Sequence, residues 1–149
     1  NPGKGFDIYH HLDENLDFGR YEMTFIGRAD RQFKNIKMIN PVPSRNVAEF
    51  LRNHDIFIFA SKLEACSNSL LEALRCDLPA VVRNTSSNPE ILGKGGEVFT
   101  NEGDIKTKID LVASNLKNYR KKIKLSTLND IGEMYYSFCN TICEKALRR

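Results

Sequence analysis

Two short apolar runs, Ile56-Phe-Ile-Phe-Ala60 and Leu78-Pro-Ala-Val-Val82, flank a polar turn and a helix-forming segment from Leu70 to Cys76. The order is buried strand, turn, helix, buried strand. Runs this short that are apolar on both faces suit the central strands of a parallel sheet covered by helices. In such sheets ligands bind in the crevice at the strand-to-helix turns. The turn here, Glu64-Ala-Cys-Ser-Asn-Ser-Leu-Leu-Glu72, places seven residues between two glutamates.

The rest of the chain repeats the alternation. Phe6, Tyr9, Leu12 and Leu16 predict a helix after Gly5. Tyr21 to Ile26 predicts a strand ending at Gly27-Arg28, and Ile36 to Ile39 a second one stopped by Asn40-Pro41. Ser44 suits the cap of a helix burying Val47, Phe50 and Leu51. Ser67 or Asn68 suits the cap of the next, which Asp77 ends where Gly would be more usual. Asn88-Pro89-Glu90 predicts an N-cap followed by Pro at the first helical position, and Glu97 to Thr100 a short strand. Ile105, Ile109, Val112 and Leu116 form one helical stripe, and Leu128, Ile131, Tyr135, Phe138 and Ile142 another. Strands alternating with helices predict parallel pairing through crossovers. The expected fold is therefore α/β: a Rossmann-like parallel sheet flanked by helices, one domain over 1–149 with a helical tail from 105 to 149.

Composition narrows the function classes. The chain has 149 residues, 41% of them hydrophobic and 28% charged, which suits one globular domain with a real core. A net charge of +3 gives no reason to expect nucleic acid as a partner. No apolar stretch reaches the roughly 18 residues of a membrane span. Cys66, Cys76, Cys139 and Cys143 lie in or beside apolar patterns and read as reduced residues of a cytosolic protein, Cys139 and Cys143 as ordinary packed ones. Cys139 and Cys143 share a helix face but have no further ligand nearby, and His10, His11 and His54 lack metal spacing, so no metal is expected. The first residue is not Met and no strand precedes the first helix, so the chain reads as a piece of a longer protein.

The chemistry centres on the turn. An ionised carboxylate only accepts hydrogen bonds, so two of them at a helix start call for a ligand rich in donors, such as a sugar diol. Glu72, about one turn into the helix, suits a ribose; Glu64 faces the far side of the crevice. The backbone N–H groups of Ser67, Asn68 and Ser69 between them suit a diphosphate. The competing reading makes Glu72 a helix-stabilising acid paired with Arg75. Lys4-Gly5 reads as a cation for phosphate with a glycine that permits close approach, or else as a lysine at a loose chain end. Arg28 reads equally well as a crevice residue and as a solvated one. Lys117, Arg120, Lys121, Lys122 and Lys124 read first as a solvated helix face and second as a contact for anionic lipid headgroups.

These residues resemble a known family. The spacing of Glu64 and Glu72 is similar to the E-x7-E motif of the retaining glycosyltransferases of family four, and Glu72-Ala-Leu-Arg-Cys-Asp-Leu-Pro-Ala-Val-Val82 resembles its "EAMACGLPVV" continuation. Lys4-Gly5 resembles its "KG", and Asn88-Pro89-Glu90-Ile91 its "PEI". The similarity runs from Lys4 to about Asp104. It implies the C-terminal, donor-binding lobe of an enzyme of the GT-B type. It further implies a nucleotide-sugar donor, Glu72 on the ribose hydroxyls, Glu64 as the catalytic residue at the anomeric carbon, and Lys4, with Gly5, against the departing diphosphate. Ser67, Asn68 and Ser69 would hold phosphate or sugar through their backbone. No cofactor or metal is implied, since cationic side chains and the helix end take that part. The acceptor, a saccharide or lipid-linked molecule in cell-surface polysaccharide or glycolipid assembly, would be held by an N-terminal lobe. The setting implied is cytoplasmic, with peripheral contact at the inner membrane face, and the chain alone is expected to be inactive. Two features depart from the family: Ala65-Cys66-Ser67 replaces Gly-Phe-Gly, and Asp77 replaces Gly. The alternatives are a GT-B-like epimerase or phosphorylase, and a lobe that binds nucleotide or a protein partner without turnover.

Overall fold

A computed structural model describes residues 2–147; Asn1, Arg148 and Arg149 lie outside the described residues. A single 3-10 turn, Pro2–Lys4, leads into helix α1, Phe6–Asn15. Strands β1, Thr24–Ile26, and β2, Lys37–Ile39, pair in parallel. Helix α2, Ser44–Arg52, leads to strand β3, Phe57–Phe59. Helix α3, Asn68–Arg75, strand β4, Ala80–Arg83, helix α4, Asn88–Leu92, and strand β5, Gly96–Phe99, follow. Strands β3, β4 and β5 form a second parallel sheet, with β4 central. Helices α5, Ile105–Ser114, α6, Leu116–Lys122, and α7, Leu128–Leu147, complete the chain.

Strand alternation explains the layers. Val81 of β4 joins Ile8 and Leu12 of α1 and Ile105, Ile109 and Val112 of α5 in one buried cluster. Ala80 and Val82 point the other way, into Leu70 and Leu74 of α3 and Leu92 of α4. Strand β4 is thus buried on both faces, as its apolar run Ala80-Val81-Val82 requires. Gly96 makes the pairing of β4 with β5 fit: a Cβ there would sit 1.8 Å from the Ala80 carbonyl oxygen.

Three local expectations change. The first strand is Thr24–Ile26 rather than Tyr21 to Ile26, because the Tyr21 N–H turns back to the Asp17 carbonyl. Pro43, not Ser44, occupies the N-cap of α2. Ser87, not Asn88, occupies that of α4; Asn88 is fully buried and its amide donates to the Ser61 and Arg83 carbonyls. Asp77 ends α3 as expected and adopts φ 58°. The Leu78 N–H bonds to the Ala73 carbonyl and the Asp77 N–H to the Leu74 carbonyl, a Schellman ending with Asp in glycine's place.

Candidate donor site at the ends of β3 and β4

Residues 60–64 leave β3 at the same sheet end that receives the start of α1. Gly5 adopts φ 73°, and a Cβ on it would lie 2.0 Å from the Ala60 carbonyl oxygen. The close approach that this glycine permits is therefore to the end of β3. The Gly3 carbonyl accepts from the Lys62 N–H at 2.7 Å and the Ser61 hydroxyl at 3.1 Å. These bonds bring Lys4 over the β3 exit loop, where its Nζ meets Glu64 Oε1 at 2.5 Å. The Ser61 hydroxyl is also within 2.9 Å of that oxygen. The Lys4 ammonium, and secondarily the Ser61 hydroxyl, hold the Glu64 carboxyl below the usual glutamate range against the opposing effect of burial. Glu64 is thus ionised at neutral pH.

The turn after Glu64 starts α3. Ser67 is buried and its hydroxyl caps the helix by accepting from the Leu70 N–H at 3.3 Å. Its own side chain is therefore committed to the fold. The backbone N–H groups of Asn68 and Ser69 find no intramolecular acceptor among the described residues, which leaves them open at the positive end of the helix. Glu72 lies one turn further on, exposed. Arg75 does not pair with it: the Arg75 guanidinium donates to the Ser126 carbonyl at 2.8 Å. The structure thus brings Lys4, Gly5 and Glu64 together and leaves Glu72 as a free carboxylate on the outer face of the adjoining helix. Arg28 is exposed and Gly27 before it has φ 137°.

Several neighbours escaped sequence reasoning. Asp7, in the first turn of α1, accepts from Arg83 at 2.9 Å and lies 3.2 Å from Lys62. Burial pushes the Asp7 carboxyl up, but the Arg83 and Lys62 cations outweigh it and the net shift is downward. Arg83 ends β4, buried, with Nε donating to the Ala60 carbonyl at 2.9 Å. The signal was present in the sequence: a cation closing a strand of otherwise apolar residues needs a buried partner.

The cysteines are free, and Cys139 and Cys143 are exposed on α7, which corrects the expectation that they are packed. Among the described residues no three His, Cys, Asp or Glu side chains gather as a metal site.

Parallel strands flanked by helices on both faces define a Rossmann-like lobe. Residues 25–128 match the family described as glycosyl transferases group 1. This chain belongs to that family, and its fold is that of a GT-B lobe. Among curated relatives, the phosphatidylinositol N-acetylglucosaminyltransferase GPI3 subunit of Saccharomyces cerevisiae strains YJM789, RM11-1a and S288c is 23% identical, over 90% of this chain. The chain spans 33% of the length of those relatives. Among solved structures, sucrose-phosphate synthase from Thermosynechococcus elongatus superposes with a TM-score of 0.69 at 11% identity, covering 95% of this chain and 44% of that one. At that identity the likeness speaks for the fold alone.

Proposed function

We propose that this lobe binds the nucleoside diphosphate sugar donor of a retaining glycosyltransferase. The observation that carries the reading is the Lys4–Glu64 pair, anchored at the β3 exit beside the open N–H groups of α3. In this reading the N–H groups of Asn68 and Ser69 take the diphosphate, with the helix dipole favouring its charge. The Glu72 carboxylate accepts from both ribose hydroxyls, and among the described residues no hydrogen bond or ion pair competes for it. Lys4 contacts the diphosphate as the bond to the sugar breaks, neutralising the negative charge that builds on the leaving group. The exchange of partner is easy: the Lys4 side chain is 53% exposed, and so open an ion pair is worth only about 0–1 kcal/mol. Glu64 then faces the positive charge developing at the anomeric carbon. The Ser61 hydroxyl continues to fix its Oε1.

The acceptor proposed is a saccharide or lipid-linked molecule, held by parts of the protein beyond this lobe. The yeast relatives, subunits of a phosphatidylinositol N-acetylglucosaminyltransferase by name, favour the lipid-linked form. The exposed cations of α6 and the segment after it, Lys117, Lys121, Lys122 and Lys124, suit peripheral contact with an anionic membrane surface on the cytoplasmic side. No helix among the described residues is long and apolar enough to cross a membrane.

The test is transfer by the whole polypeptide carrying Glu64→Gln, which keeps the shape and removes the charge. The reading predicts a fall in kcat of about 10²–10³, the scale of losing one transition-state electrostatic partner. The sugar product of the unaltered protein is predicted to keep the donor's anomeric configuration by NMR. Wild-type turnover in Glu64→Gln would remove Glu64 from the chemistry, and an epimerised free sugar would favour the epimerase alternative.

A further inference from the structure

Close to the Lys4–Glu64 pair lies a buried cation, Arg83, that the proposed chemistry leaves unused. Arg83 closes β4, whose register opposite Phe99 of β5 fixes its backbone. Its guanidinium lies 5.5 Å over the Phe99 ring, in the core. From there it reaches two separate segments. One bond goes to the Ala60 carbonyl, the atom against which Gly5 packs; the other goes to Asp7 in the first turn of α1. The first segment continues within four residues to Glu64. In the second, Asp7 lies three residues after Lys4. A buried arginine is costly to keep, and a packed apolar side chain in its place is often neutral or stabilising. The fold alone therefore gives weak reason for a cation here.

We propose that Arg83 is the positioning residue of this site: by tying the start of α1 to the end of β3 it sets Lys4 against Glu64. The inference rests on the reading of Lys4 and Glu64 as the working pair, and deepens it. Arg83 touches neither side chain of that pair and acts through Ala60 and Asp7. Lys62, also on Asp7, supplies a second tether to α1, but its ammonium is far more exposed than the guanidinium of Arg83.

The experiment is an NMR titration of the Glu64 carboxyl in this chain, with amide exchange at Lys62, whose N–H bonds to the Gly3 carbonyl. It compares wild type, Arg83→Met and Asp7→Ala. Both variants are expected to let the Glu64 midpoint rise toward the ordinary glutamate value. Both are expected to speed Lys62 exchange by about tenfold, the mark of a local opening. Thermal unfolding reports whether the lobe stays folded; a purely structural arginine would lower that midpoint without moving the Glu64 titration. A folded Arg83→Met in which Glu64 titrates as in wild type overturns the proposal. Should Arg83→Met fail to fold, Asp7→Ala, at an exposed position, decides by the same reading. The readout needs no nucleotide. A chain that shows the shifts and binds no nucleotide therefore refutes the donor reading while leaving the role of Arg83 intact.

Discussion

Gly5 is the residue on which the site's geometry turns. Its left-handed backbone and its contact with the Ala60 carbonyl each exclude a side chain. Gly5→Ala adds a left-handed penalty of about 1–2 kcal/mol, before any displacement of α1 is counted. The prediction is a loss of at least about 2 kcal/mol in urea unfolding, together with loss of the Lys4–Glu64 pairing, read as a rise in the Glu64 midpoint. An alanine variant of wild-type stability would mean that the 3-10 turn is not seated on β3 as described. The sequence offers Lys4-Gly5 either as a phosphate contact or as a loose chain end. The need for glycine is met inside the fold, so the proposed phosphate contact rests on Lys4 alone.

At the scale of the element, what could be read from the chain divides by periodicity. Strand β4 and helices α1, α3 and α5 carry regular apolar patterns, and their burial follows: Leu12, Leu70, Val81, Val82 and Val112 are all fully buried or nearly so. The start of α4 departs from the sequence expectation because Asn has two uses, a cap or a buried amide, and residue type does not separate them. The carboxylates Glu64 and Glu72 were legible from spacing; Arg83 was legible only as a cation in need of a partner, and Asp7 as that partner was not, because their contact spans 76 positions of sequence. The same holds for Asp13. This buried acid on α1 accepts from the backbone N–H groups of Lys34, Asn35 and Ile36, each at 2.8 Å, and so pins the segment entering β2. Burial pushes its carboxyl up, but the three N–H bonds prevail and the net shift is downward. The unfolded chain then binds the proton more readily than the folded one. The stabilisation from Asp13 is complete above the ordinary aspartate value of about 4 and is lost as pH falls through the lower folded value. Asp13→Asn is expected to cost about 2–4 kcal/mol at pH 7, the scale of losing charge-assisted bonds, and to flatten stability against pH below that range. Urea titrations from pH 7 to pH 2 check this; parallel curves for variant and wild type would contradict it.

Taken as a whole, the molecule has its core between the α1–α5 layer and the α3–α4 layer, and α7 stands outside it. The apolar stripe expected there does form, but Leu128, Tyr135, Phe138 and Ile142 are all exposed. Periodicity identifies an apolar face; it does not identify what covers it. Since α7 buries so little, a chain ending before Leu128 is expected to melt within about 2 °C of the original, because surface segments contribute little to stability. A drop of ten degrees in scanning calorimetry would show that α7 packs on the lobe. The central claim, that the β3 exit and the start of α3 hold a nucleotide, is tested most directly by calorimetric titration of this chain with UDP, GDP and ADP in parallel. The account predicts that one of the three binds preferentially and that Glu72→Ala weakens it by about 1.5–3 kcal/mol, the scale of a charge-assisted bond pair, through loss of the ribose contact. Equal binding of that nucleotide by wild type and Glu72→Ala, or no binding of any of the three, would contradict it.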